Sequence, residues 1–89
     1  MTPEQINQTF KAMDDSVWII DQKILNGPAP EDTQKQTNEE VDRNVRYLQW
    51  ALTQDYVQTA GRSLTVYQTA VANGQAYIAS HGGLGAVAE

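Results

Sequence analysis

The chain has 89 residues, 40% of them hydrophobic, which allows one small core but no elaborate catalytic cleft, since a chain of this size buries only about 60–65% of its unfolded surface. Cysteine is absent, so disulfide scaffolds, cysteine zinc sites and thiol catalysis are excluded together. Eleven acidic residues against six basic ones give a formal charge of −5, the wrong balance for neutralising nucleic-acid phosphates. The charge is uneven. Residues 1–40 carry eight acids against Lys11, Lys23 and Lys35, whereas Asp42, Asp55 and Glu89 are matched by Arg43, Arg46 and Arg62 in the remainder. No apolar run approaches the roughly 18 residues of a membrane span, and Met1-Thr2-Pro3-Glu4 does not read as a signal peptide.

The first helix is expected over about residues 3–26. Thr2 is its N-cap, Pro3 its first residue, and Gln5 completes a capping box. Ile6, Phe10, Met13, Val17, Ile20 and Ile24 then recur with gaps alternating between four and three, the a/d seam of a helix that packs against another. Asn26-Gly27-Pro28 stops it, and Pro28-Ala29-Pro30 forms a stiff connector.

The polar stretch from Glu31 to Asn38 is either loop or a solvated first two turns. Thr37 and Glu40 have capping-box spacing, so the second helix is expected over about residues 37–60, with Val41, Val45, Leu48 and Leu52 as its seam and Gly61 as its stop. The acid-before-base pairs Glu39/Arg43 and Asp42/Arg46 fit exposed helix chemistry. A shorter third helix is expected over about 65–80, with Thr65 as its cap and His81-Gly82-Gly83 as its end. Gly74 within it signals either a kink or a close approach by a neighbour. Residues 84–89 read as a flexible apolar tail. The fold class is all-α: an antiparallel helical hairpin with a shorter third helix, forming one domain over residues 1–83.

A second apolar face accompanies the seams. At 100° per residue, Trp50 and Val57 project almost opposite the helix 2 seam and Tyr47 lies on the same far side, while Trp18 and Leu25 stand roughly 110° from the helix 1 seam. Either the third helix covers this face, leaving helix 2 in the middle of the bundle, or a partner does. Trp and Tyr anchor interfaces because they bury much area at low rotamer cost. Trp18, Leu25, Tyr47, Trp50 and Val57 are therefore the candidate protein interface.

Catalytic and metal chemistry find few residues to work with. His81 is the only histidine and reads as a cap at the end of the last helix. Asp14, Asp15 and Asp21 project at different angles and lack a calcium loop. Gly82-Gly83-Leu84-Gly85 has no Lys-Ser/Thr to make a phosphate loop, and the glycosylation sequon Asn7-Gln8-Thr9 falls inside the first helix by chance. No catalytic, cofactor-binding or metal-ligating residue is expected, and no cofactor.

Val41-Asp42-Arg43-Asn44-Val45-Arg46-Tyr47-Leu48, followed by Leu64-Thr65-Val66-Tyr67-Gln68-Thr69-Ala70-Val71-Ala72-Asn73-Gly74-Gln75-Ala76-Tyr77-Ile78, resembles small accessory or virion-associated proteins of tailed bacteriophages, over roughly the second half of the chain. The resemblance implies a non-enzymatic protein in the virion or the host cytoplasm, and it assigns no functional residue. The expected function is structural: copies packing into a larger assembly, with further copies or virion proteins as partners and neither nucleic acid nor membrane. The alternative is a small acidic inhibitor or regulator that docks its first half on a basic surface of a host protein.

Overall fold

The computed structural model describes residues 1–84. Four helices follow one another: α1 Pro3–Asn26, α2 Gln34–Leu52, α3 Asp55–Gln58 and α4 Thr65–Ser80. Among the described residues there is no strand, and α1, α2 and α4 pack together as a small all-α bundle. The tail expected over residues 84–89 lies, from residue 85 onward, outside the described residues.

α1 starts as its first four residues dictate. The Thr2 hydroxyl accepts from the Gln5 N–H at 3.2 Å, and the Gln5 side chain accepts from the Thr2 N–H at 2.9 Å, an arrangement worth about 1 kcal/mol. Phe10, Met13 and Ile20 are fully buried, with Ile6 and Val17 packed beside them. Ile24, the last residue of the expected seam, is 39% exposed. α1 ends at Gly27, whose φ of 70° is comfortable only for glycine.

α2 begins earlier than Thr37. Thr33 is its N-cap, with Gln36 as the reciprocal partner at 3.1 and 2.8 Å. Thr37 instead lies buried in the first turns and donates its hydroxyl to the Thr33 carbonyl at 3.0 Å. The polar stretch is thus largely helix, and two of its members, Thr37 and Asn38, face the interior. α2 also ends earlier than residue 60. The Thr53 hydroxyl donates to the Trp50 carbonyl at 2.6 Å, and the Gln54 and Gln58 amides donate to the carbonyls of Trp50 and Leu52. These side chains satisfy the acceptors that a continuing helix would occupy, and the chain turns into the separate short helix α3.

α4 keeps the expected bounds, but Thr65 lies inside it: Leu64 holds the N-cap position and no side chain caps it. Gly74 does not kink the helix. It is buried where α4 crosses the other two, and a Cβ there would lie 2.5 Å from Val45 Cγ2, 3.3 Å from Val41 Cγ1 and 3.5 Å from Ile20 Cγ2. α4 therefore packs on both α1 and α2, on the same side as their seams. The three long helices touch pairwise, and α2 is not a central layer. The Phe10 and Tyr67 rings pack with centroids 6.0 Å apart, and the Arg62 guanidinium lies over the Phe10 ring at 4.3 Å.

One core aromatic has a pH signature. The Tyr67 hydroxyl donates to Asp14 Oδ1 at 2.6 Å. Burial first, then this bond and the Asp14 charge, push the phenol up to about 12 from its ordinary value of 10.0. The folded state therefore favours the neutral phenol, so its contribution is complete below the unfolded value and is lost as pH rises toward 12. The thermal midpoint of the parent should fall more steeply across that window than that of Tyr67→Phe. Equal slopes in the two proteins would remove Tyr67 as the cause.

A candidate protein-interaction surface

The five interface candidates separate once the fold is in view. Trp18 is 64% exposed, Leu25 76% and Trp50 49%. Tyr47 is half-buried, packs against the core cluster, and lends its ring to Trp50 at a centroid separation of 5.6 Å. Burial, with a smaller effect of Tyr56, pushes the Tyr47 phenol up. Val57 is a correction: it is fully buried in the core. Its projection beside Trp50 assumed a helix running unbroken to residue 60, and the break at Thr53-Gln54 turns it inward. α4 leaves Trp50 half-exposed, so the second face of α2 is not covered within the monomer.

Trp18 borders a groove of about 450 Å³ between the C-terminal half of α1 and the α1–α2 connector. Ile19, Pro28 and Pro30 supply further apolar wall, and Lys23 and Glu40 lie in it as an ion pair at 3.4 Å. Pro28 and Pro30 are exposed. The groove lies where the chain leaves α1 at Gly27 and continues into Pro28-Ala29-Pro30. The spacing of Pro28-Ala29-Pro30 signals stiffness, but nothing in the sequence shows that the connector faces Trp18.

A second depression of about 500 Å³ runs between α1 and α4, lined by Asp21, Ile24, Asn73, Tyr77, Ser80 and His81. Ser80 and His81 touch at 2.9 Å between Oγ and Nδ1, yet both serve the helix end. Ser80 donates to the Tyr77 carbonyl at 3.0 Å, and His81 Nδ1 lies 2.7 Å from the same oxygen, where it donates. The His81 ring also stacks on Tyr77 at 4.0 Å. Beneath this end Asn38, buried, donates to the His81 and Gly83 carbonyls at 3.0 Å each and accepts from Gln34, which also donates to the Tyr77 hydroxyl. Sequence reasoning missed this clasp because an asparagine in a polar run gives no sign of being buried. Among the described residues, no group of three or more His, Asp or Glu side chains is placed to hold a metal ion, and no helix is long and apolar enough to cross a membrane.

Fold and surface together define a small all-α bundle with two exposed tryptophans. No protein family matches the chain, and no curated protein or solved structure matches it.

Proposed function

We propose that this chain is a non-enzymatic assembly protein that packs, in several copies, into a larger protein particle. The tailed-phage virion is the kind of particle to which its sequence resemblance points. The observation that carries the proposal is the exposure of Trp18, Leu25 and Trp50 on a bundle whose own core is closed. Covering a further 100 Å² or so of an indole is worth about 2–3 kcal/mol, so two exposed tryptophans favour a bound state. Among the described residues no buried side-chain polar atom lacks a hydrogen-bond partner, and the interior therefore offers no unsatisfied group waiting for a ligand.

Ionic strength separates this reading from an acidic inhibitor. Glu4, Asp14, Asp15 and Asp21 are exposed along α1, and a contact made through them would weaken steeply with salt. The purified chain should co-sediment with particles from its source to a similar extent at about 50 mM and about 500 mM salt, where screening differs several-fold. A loss of tenfold or more at high salt would favour the acidic docking mode instead.

A further inference from the structure

We propose that Asn26-Gly27 is a site of spontaneous deamidation, which converts the last residue of α1 to aspartate or isoaspartate, while the fold protects the second Asn-Gly pair, Asn73-Gly74. This goes beyond the assembly reading and does not depend on it.

Asparagine is a chemically labile side chain. The Gly27 backbone nitrogen attacks Asn26 Cγ. A bond forms between these two atoms, the Cγ–Nδ2 bond breaks, and Nδ2 leaves as ammonia with the proton that the Gly27 nitrogen gives up. Water then opens the resulting five-membered imide. Opening at Cγ restores the main chain and gives aspartate. Opening at the main-chain carbonyl gives isoaspartate, whose backbone runs through Cβ and Cγ. Either product bears a carboxylate where an amide stood. A following glycine favours the attack, because no Cβ crowds the nitrogen. The sequence holds two such pairs, at residues 26–27 and 73–74, and the structure treats them differently.

Asn26 is exposed and is the last residue of α1. Attack requires it to leave the helical conformation so that Cγ can reach the Gly27 nitrogen. One backbone bond opposes this: the Gly27 N–H donates to the Lys23 carbonyl at 2.8 Å. The next residue, Pro28, has no N–H and cannot extend the ladder. No heavy atom beyond the chain neighbours lies within 4 Å of where a Gly27 Cβ would stand, so the turn has room to rearrange. Helix ends of this kind open readily. Asn73 lies within α4, and Gly74 is buried against Val45, Val41 and Ile20. The same rearrangement there breaks the helix in its interior and separates α4 from α1 and α2. That opening belongs to the packed core and is correspondingly rare.

The new carboxylate stands at the C-terminal, negative end of the α1 dipole. It borders the groove that Trp18 and the Lys23–Glu40 pair line, and it makes a chain of net charge −5 more acidic by one unit.

Timed incubation of the whole folded chain at mildly alkaline pH, followed by trypsin digestion and peptide mass spectrometry, tests the proposal. Cleavage after Lys23, Lys35 and Arg62 puts the two pairs on separate peptides, 24–35 and 63–89, and fragment spectra locate the amide-to-acid mass gain. Conversion at residue 26 should run at least about tenfold faster than at residue 73. In denaturant both sites should convert at similar rates, because the local sequence chemistry is the same. Asn26→Gln should abolish the more acidic species that ion exchange resolves from the incubated parent, since the longer side chain cyclises far more slowly. A folded chain in which Asn73 converts as fast as Asn26, or in which Asn26 stays intact while the unfolded chain converts, overturns the inference.

Discussion

Asn38→Leu is expected to lower the unfolding free energy by about 2–3 kcal/mol. The two side chains share the same branched skeleton, but leucine is bulkier at a fully buried position, so some overpacking adds to the loss of the polar contacts. Asn38 donates to the carbonyls of His81 and Gly83 and accepts from Gln34. Leucine removes the donor from both carbonyls and the acceptor from Gln34. A buried polar group left without a partner costs about 1–3 kcal/mol. The total stays at the lower end of the sum because His81 is exposed and its carbonyl regains water. For a domain of this size each kcal/mol moves the thermal midpoint by roughly 4–8 °C, so a drop of about 10–20 °C is expected. A midpoint within about 3 °C of the parent would mean that the clasp between α2 and the end of α4 contributes nothing to stability.

Gly74→Ala sets two effects of opposite sign against each other. In an exposed helix interior the change would stabilise by about 1 kcal/mol. At this crossing the new methyl group would meet Val45 Cγ2 at 2.5 Å and Val41 Cγ1 at 3.3 Å. Both valines are buried, and a β-branched side chain in a helix has one strongly preferred rotamer. Neither can step aside, so α4 must shift outward. Overpacking of this kind costs about 1–3 kcal/mol, so the net effect is destabilisation of up to about 2 kcal/mol once the helix gain is subtracted. Val45→Ala opens the same space, and the double variant should be more stable than the two single effects added together, with a coupling of at least about 0.5 kcal/mol. A Gly74→Ala protein more stable than the parent would show that the three helices do not approach so closely.

The helices were legible where apolar spacing and punctuation agree. The seam from Ile6 to Ile20, the Thr2-Pro3-Gln5 start and the Gly27-Pro28 stop locate α1, because period and caps point to the same bounds. Val41, Val45 and Leu48 locate the inner face of α2 for the same reason. Its ends were not legible. Thr33/Gln36 and Thr37/Glu40 offer competing cap spacings, and tertiary burial of Thr37 and Asn38 decides for the earlier start. At the other end the break depends on polar side chains folding back onto carbonyls, which spacing does not report, and this break sends Val57 into the core. Angle alone placed Trp18, Leu25 and Trp50 away from the seams, but left open whether the third helix covers them. The groove beside Trp18 was not legible, because it depends on how the proline connector sits against α1.

Co-sedimentation of a Trp18→Ala/Trp50→Ala double variant with particles from the source of the chain tests the central claim most directly. Trp18 is 64% exposed and Trp50 49%, so the variant should melt within a few degrees of the parent. Truncation of interface anchors costs about 2 kcal/mol or more each, enough to leave the folded variant in the supernatant while the parent pellets with the particle. A double variant that melts like the parent and pellets to the same extent contradicts the assignment of this surface to assembly.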